Sequence, residues 1–221
     1  MEIERYFVMP VHPHFISFEG LDFSGKTTQV EKLVSRLKAI GFPVQVVREP
    51  GGTEISEKIR QILLDRSHGE MDPRTEILLY SAARSQLVHQ SILPRLENGE
   101  YIIADRYVDS TTAYQGYGRG LDIAFVQRLN EFATSRLLPC KTFFLDISPE
   151  EAHRRRKSAG RGSDRLERED RAFFETIRRG YLQIARKNDQ RYVILNGEDD
   201  PEDISRQIWE EVCNIWGIPC P

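Results

Sequence analysis

An apolar run, Phe15-Ile16-Ser17-Phe18, passes without a break into the string FEGLDFSGKTTQ, Phe18–Gln29, and no other feature limits the possible folds as much. Two glycines, Gly20 and Gly25, frame four residues, and Lys26 and Thr27 follow directly. This is the pattern G-x4-G-K-[ST]. Its glycines let backbone N–H groups turn inward around an anion, and a helix opening near Lys26 adds its positive dipole end. Lys26 is then placed to bring charge to β- and γ-phosphates, and the Thr27 hydroxyl to ligate Mg²⁺. The loop works only between a strand and a helix. Downstream, Val30, Leu33, Val34, Leu37 and Ile40 fall on one helical face, with Gly41 as a stop. The segment Gly20, Leu21, Asp22, Phe23, Ser24, Gly25, Lys26, Thr27 and Thr28 is therefore the expected ATP-binding loop. Asp22 is its anomaly, a carboxylate inside a cradle for phosphates.

The rest of the chain repeats the same grammar. Short apolar runs at Phe15–Phe18, Val44–Val47, Tyr101–Ala104, Phe143–Ile147 and Tyr192–Leu195 lack polar alternation, as strands covered on both faces do. Helical stripes separate them: Ile55, Ile59, Ile62 and Leu63; a long stretch from about Pro73 to Glu97; and Ile204, Ile208, Val212 and Ile215. The order β-α-β-α-α-β-α-β-α-α-β-α predicts an α/β domain, a five-stranded parallel sheet with helices on both faces, of the P-loop NTPase or nucleoside monophosphate kinase type. The domain is expected over 15–217, behind a leader of residues 1–14 in which His12, Pro13 and His14 are read as a tail rather than a metal site. One segment departs from the pattern. Arg154–Arg171 holds eight basic and four acidic residues in a chain of net charge −3, and Gly160 and Gly162 interrupt any helix there.

These features exclude several classes. A duplex nucleic-acid binder is more often basic overall, so no nucleic-acid partner is expected. No run approaches the ~18 apolar residues of a membrane span, so no membrane is expected either. Three cysteines are too few and too scattered for a disulfide framework or a zinc site, which fits the reducing cytoplasm. A GTPase would carry N-K-x-D, and the nearest string, RKND at Arg186–Asp189, has the wrong order. The third predicted strand ends IIADRY, where Asp105 offers a Mg²⁺-directed carboxylate and Arg106 a phosphate-directed guanidinium. A protein that handles a second phosphorylated substrate needs such a pair.

With FEGLDFSGKTTQ, REPGGT (Arg48–Thr53), SAARSQL (Ser81–Leu87), DRYVDSTTAYQGYGRG (Asp105–Gly120) and GRGSDRLE (Gly160–Glu167) in this order, the chain resembles the thymidylate kinase family, of the bacterial type that carries an arginine in its lid, over about residues 14–215. The resemblance implies transfer of the γ-phosphate of ATP to dTMP, giving dTDP, with Mg²⁺, in the cytoplasm, by a homodimer. It also gives Asp22 a role, which is to face the acceptor's deoxyribose and accept from its 3′-hydroxyl. It implies that Arg106 and Arg60 clamp the 5′-phosphate, that Arg84 and Gln115 read the base edge, and that Tyr80 stacks on the base. Tyr114 would lie under the sugar, Thr111 would point toward the base, and Glu49 would sit near the transferred phosphate and Mg²⁺. Asp105 would orient Mg²⁺ waters or Arg106.

Within the resemblance, relatives place a mobile basic residue either in the phosphate loop or in a closing lid. Phe23 occupies the loop position and cannot serve, so the lid, about 157–169, is expected to supply it, with Arg161 first and Arg165 second. Two other functions fit the motif alone: a deoxynucleoside kinase or another nucleoside monophosphate kinase, and a non-catalytic protein that uses ATP as a switch. The switch needs no acceptor site.

Overall fold

The computed structural model describes residues 11–160 and 164–219. Strands β1 (Val11–Glu19), β2 (Val44–Arg48), β3 (Tyr101–Asp105), β4 (Leu138–Asp146) and β5 (Tyr192–Asn196) form one parallel sheet in the order β2-β3-β1-β4-β5. Helix α1 (Lys26–Ala39) follows β1; α2 (Glu54–Leu64), α3 (Pro73–Leu87) and α4 (Leu93–Glu97) follow β2. Helices α5 (Val108–Thr111) and α6 (Ile123–Thr134) follow β3, α7 (Pro149–Ala159) and α8 (Arg171–Lys187) follow β4, and α9 (Pro201–Trp216) follows β5.

Alternation along the central strands explains why both faces are covered. Ile16, Phe18, Ile103, Phe143 and Leu145 point to one side, against Leu33 and Leu37 of α1 and Ile208, Trp209 and Val212 of α9. Phe15, Ile102 and Ala104 point to the other, against Leu87, Val88 and Ile92. Phe144 meets Ile177 and Tyr181 of α8 on that same side. This second face also carries polar groups. Ser17 and Thr142 hydroxyls lie 2.9 Å apart, and Arg191 donates to Thr142 at 2.6 Å and to both Asp109 oxygens at 2.7 and 2.9 Å. Such a buried pair costs desolvation on both partners and persists where hydrogen bonds compensate each charge.

Three departures from the sequence-based expectation have local causes. First, β1 starts at Val11, so residues 11–14 belong to the strand and not to a leader ending at 14: Val11 and His12 pair with Leu138 and Pro139, and the register shifts before Ile16. The Trp216 indole donates to the Pro13 carbonyl at 3.0 Å, and His14 stacks on Tyr101. These partners are distant in sequence, and His-Pro-His alone does not announce a strand. Second, the long rod from Pro73 to Glu97 widens into a π-helical turn over Val88–Ile92. Pro94 lacks the N–H that would continue the ordinary ladder. Third, between β3 and β4 the expected single helix is replaced by α5, a second π-helical turn over Thr112–Gly118, and α6. Glycine makes that turn possible: a Cβ on Gly118 would stand 2.8 Å from the Phe173 ring, and one on Gly180 of α8 2.7 Å from the Tyr117 ring.

Because all five strands run in parallel, their carboxyl ends share one edge. Glu19, Arg48, Asp105, Asp146 and Asn196 are the terminal residues there. Ligands of open α/β sheets bind at this edge, where neighbouring strands lead to opposite sides.

Candidate functional site

A cavity of about 1150 Å³ opens at that edge and is lined by the loop after β1, the end of β3, and residues from α2, α3, α7 and the segment before α9. The loop itself is the one expected. Gly20 has φ +145°, and a Cβ there would meet the Leu145 carbonyl at 2.6 Å, so no other residue fits. Gly25, at φ +98°, starts α1 without a side-chain cap. Thr53, Asp72, Asp122, Ser148, Asp170 and Asp200 cap the helices that follow other loops. The first N–H groups of α1 are thus left for an anion. Leu21 turns away into the core, whereas Asp22, Phe23, Ser24, Thr27 and Thr28 line the cavity.

Lys26 is buried and bends back over the loop, donating to the carbonyls of Leu21 at 2.7 Å and Gly20 at 3.2 Å. Burial, and then the neighbouring Arg106 charge, pushes its ammonium down to about 8. The Thr27 hydroxyl donates to Asp105 Oδ2 at 3.0 Å. A hydroxyl beside a carboxylate is the small oxygen set that Mg²⁺ uses when water and substrate phosphate complete its octahedron, so the pair fits the ion. No set of three or more His, Cys, Asp or Glu gathers as a metal cage among the described residues.

Asp22 resolves its anomaly by pairing outward. Arg106 Nη2 donates to its Oδ1 at 2.6 Å. Burial alone would raise this carboxyl, but Arg106 and then Lys26 hold it below its usual range. Arg106 itself has a left-handed backbone, φ 73°, fixed by an N–H bond of 3.0 Å to the Phe18 carbonyl. Its Nη1 donates to the Gly20 carbonyl at 2.9 Å, Ser110 Oγ at 3.0 Å and Tyr181 Oη at 3.3 Å, and the guanidinium lies over the Tyr114 ring. Its Nε–H makes no hydrogen bond among the described residues and remains for a ligand.

The acceptor side is assembled around Arg84, which is only 2% exposed. Its Nε donates to Glu49 Oε2 at 2.6 Å, Nη1 to Thr111 Oγ1 at 2.8 Å and Asn130 Oδ1 at 3.1 Å, and Nη2 to the Tyr107 carbonyl at 3.0 Å. Four donors are spent on holding the side chain still, and one Nη2 hydrogen is left toward the cavity. Glu49, expected beside the transferred phosphate, lines the cavity while buried against Arg84, and its Oε1 has no hydrogen-bond partner among the described residues; burial raises its carboxyl, and the guanidinium opposes that rise. Gln115 is turned by its bond of 2.9 Å to Glu76. Tyr80, Tyr114 and Arg60 line the same cavity; Arg60 Nη1 donates to the Pro50 carbonyl at 2.9 Å, and the buried Tyr114 hydroxyl has no hydrogen-bond partner among the described residues.

In the basic segment Arg165, the second lid candidate, is held by the protein itself. It is 7% exposed, its Nη2 donates to Glu76 at 2.6 Å and its Nε to the Leu63 carbonyl at 2.9 Å, and it does not line the cavity. Glu76, fully buried and met by Arg119, Gln115 and Arg165, needs that charge. Arg161 lies outside the described residues.

Several lining residues carried no separate sequence signal. Arg155 of α7 lines the cavity beside the loop, donating to Gly197 O at 2.8 Å and Glu151 at 2.6 Å. Its Glu151 spacing of four reads as an ordinary surface pair. Asp164 and Glu167 also face the cavity, and burial raises both carboxyls. Glu19, fully buried at the end of β1, has its carboxyl pushed up to about 7 by burial and then by Asp109, against the pull of Arg106.

The chain is similar to known proteins along most of its length. The family model described as thymidylate kinase matches residues 18–208. The chain is 46% identical over 198 residues to a thymidylate kinase of Caldanaerobacter subterraneus subsp. tengcongensis, covering 90% of this chain and 94% of that protein. It is 42% identical over 210 residues to one of Syntrophotalea carbinolica, covering 93% and 97%. The crystal structure of thymidylate kinase from Ehrlichia chaffeensis superposes with a TM-score of 0.73 at 31% identity, over 92% of this chain and 99% of that one.

The depressed ammonium of Lys26 has a measurable consequence. Bound phosphates favour the charged form, so binding takes up a proton wherever the free side chain has lost it. ATP affinity should be flat below about pH 8 and weaken above it, approaching about tenfold per pH unit while the bound form stays protonated. Calorimetric titrations from pH 7 to 9.5 test this, with Lys26→Met as the pH-insensitive control; a wild-type dissociation constant that is constant across the range contradicts it.

Proposed function

The chain belongs to the thymidylate kinase family and transfers the γ-phosphoryl group of ATP to dTMP, giving dTDP and ADP; from that premise we propose how its residues divide the work. The observation that carries the division is the Arg106–Asp22 pair, set across the mouth of the phosphate loop. It offers the Arg106 Nε–H, the second Nη2 hydrogen and a second carboxylate oxygen to whatever enters beside the donor nucleotide.

The triphosphate is held by the loop N–H groups and by Lys26. Mg²⁺, held by Thr27 and Asp105, supplies neutralising charge to the β- and γ-phosphates when bound. The purine end of ATP falls toward Arg155 and residues 197–201, the remaining polar wall of the cavity. On the acceptor side, Arg106 Nε and Arg60 meet the 5′-phosphate, and Asp22 accepts from the 3′-hydroxyl. Tyr114 lies under the sugar and Tyr80 stacks on thymine. Arg84 gives its remaining N–H to the base edge, oriented by Glu49 and Thr111, while Glu76 sets the angle of Gln115.

No general base is required, because the acceptor is a phosphate oxygen already ionised at neutral pH. The difficulty is to bring two polyanions together and to stabilise charge spread over a loose transition state. Cations fixed before substrate arrives do this without reorganising. The mobile contribution falls first to Arg161 and second to Arg165, which is engaged with Glu76 in this conformation. The substrates are cytoplasmic metabolites, and we place the enzyme in the cytoplasm. We also propose a homodimer formed by α2, α3 and α6, whose outer faces leave Ile55, Ile62, Leu78, Phe125 and Phe132 exposed, Phe132 at 81%.

Coupled ADP-release assays with dTMP, dUMP, thymidine, dCMP and AMP should give dTMP the highest kcat/KM. Arg84→Ala should raise the KM for dTMP about 100-fold, the cost of leaving a buried polar site unpaired, and change that for ATP little; equal effects on both substrates would remove Arg84 from base recognition. For the lid, Arg161→Ala should lower kcat by about 10³-fold and leave the dTMP KM within a few-fold. Phe23→Arg in that background should restore part of the rate. An unchanged kcat in Arg161→Ala would assign the transition-state charge elsewhere. For the dimer, light scattering on Phe132→Glu should report a single-chain mass where the unaltered protein reports twice that value; a wild-type monomer would eliminate this interface.

A further inference from the structure

Glu19 takes no part in the division of labour above, yet it is a fully buried carboxylate one residue before the phosphate loop. Four donors converge on it. Oε1 accepts from the Tyr107 N–H at 2.7 Å and the Ser110 N–H at 3.3 Å. Oε2 accepts from Ser110 Oγ at 2.6 Å and Tyr181 Oη at 2.9 Å. The same two hydroxyl oxygens accept from Arg106 Nη1. Where Glu19 is ionised, each hydroxyl can accept from the guanidinium and donate to the carboxylate; the two hydroxyls also lie 2.9 Å from each other.

We propose that Glu19 is a positioning residue for the acceptor phosphate, holding the Arg106 guanidinium in its working orientation through the hydroxyls of Ser110 and Tyr181. The inference rests on Arg106 being the dTMP clamp. Arg106 has a left-handed backbone and sits over the Tyr114 ring, so its side chain is not confined by its own rotamer alone. Its Asp22 contact uses only Nη2. Without the relay, Nη1 keeps only the Gly20 carbonyl and Nη2 only Asp22, a looser hold on the plane that aims Nε. With it, the ionised carboxylate draws hydroxyl protons toward itself and leaves oxygen lone pairs for Nη1.

The carboxylate is also what gives this relay its direction. The charged and titratable groups around it are Asp109 from α5, Arg106 after β3, Tyr181 from α8, Lys26 from α1, and Arg191 and Tyr192 at the start of β5. Asp109 is spent on Arg191, so it does not compete for the two hydroxyls. A glutamine at position 19 keeps the shape and can still accept from Tyr107 N–H. Its amide, however, would donate to the hydroxyls and turn their protons toward Arg106.

The test is direct binding of dTMP, by calorimetry, to Glu19→Gln, Tyr181→Phe, Arg106→Ala and the Glu19→Gln/Arg106→Ala double variant, with ATP binding measured alongside. Losing hydrogen bonds to a charged group should weaken dTMP binding by about tenfold or more in Glu19→Gln, with ATP affinity within about twofold. The double variant should bind dTMP no more weakly than Arg106→Ala alone, because Glu19 acts only through Arg106. A double variant whose losses multiply overturns the inference, as does unchanged dTMP affinity in Glu19→Gln when Arg106→Ala is impaired. Unchanged affinity in Arg106→Ala removes the clamp itself, and the inference with it. Should Glu19→Gln fail to fold, Tyr181→Phe, which keeps its ring stacked on Phe144, reads the same loss.

Discussion

Arg106 holds the two halves of this site together. It follows the last residue of β3, its N–H is fixed on the Phe18 carbonyl of β1, and its guanidinium bonds the first carbonyl of the phosphate loop and the loop's own carboxylate. Two strands that are neighbours in the sheet thus become neighbours in chemistry. Its left-handed backbone is a strained choice for a residue with a Cβ, and such strain persists where surrounding bonds over-determine it. Here those bonds reach β1, the phosphate loop, α5 and α8. On the division of labour proposed above, the position of the acceptor relative to the donor nucleotide would follow from this one side chain.

The same arrangement explains why a carboxylate is tolerated among phosphates. Lys26 and Arg106 share the Gly20 carbonyl, and their mutual repulsion is one reason the Lys26 ammonium is depressed. Asp22 relieves that repulsion in the absence of ligand and draws its own stabilisation from both cations. A polyphosphate in the loop would supply negative charge to the same two groups, so the role proposed for Asp22, acceptor for a sugar hydroxyl, is compatible with its place as their counter-ion. Neither role requires the cations to move far, which is what preorganised electrostatic stabilisation needs.

What could be read from sequence divides along a physical line. The phosphate loop, the strand cores and the α1 face are local patterns, in which identity and spacing carry the meaning, and these stand as expected. Glu49 and Arg165 mark the other side of the line. Each is a charged residue in a segment of the right kind, and each is expected from that segment to face substrate. Each also has a buried partner that sequence does not report: Glu49 bonds the guanidinium of Arg84, and Arg165 bonds Glu76. The partners lie 35 and 89 residues apart in sequence, so no helical or strand periodicity reports the pairing. Glu76 illustrates the difficulty best. In the first turn of α3 it reads as an acid favoured by the helix dipole, yet the side chains of Gln115, Arg119 and Arg165 converge on it. The beginning of β1 is hidden for the same reason, because Pro13 and two histidines become strand only when β4 offers a partner.

Glu76 also gives the lid a mechanical character that its charge pattern does not reveal. The segment expected to close, about 157–169, leaves α7 through the left-handed Gly160 and is fixed again at Arg165 by a fully buried carboxylate. A second oxygen contact of that carboxylate carries Gln115, and Arg119 ties it to the end of the π-helical turn bearing Tyr114. Arg165 shares that carboxylate with Arg119, which donates to both of its oxygens at 3.1 Å, so the buried charge is compensated from two sides. One buried carboxylate thus joins the segment after α7 to the turn that carries Tyr114 and Gln115, across 89 and 39 residues of sequence.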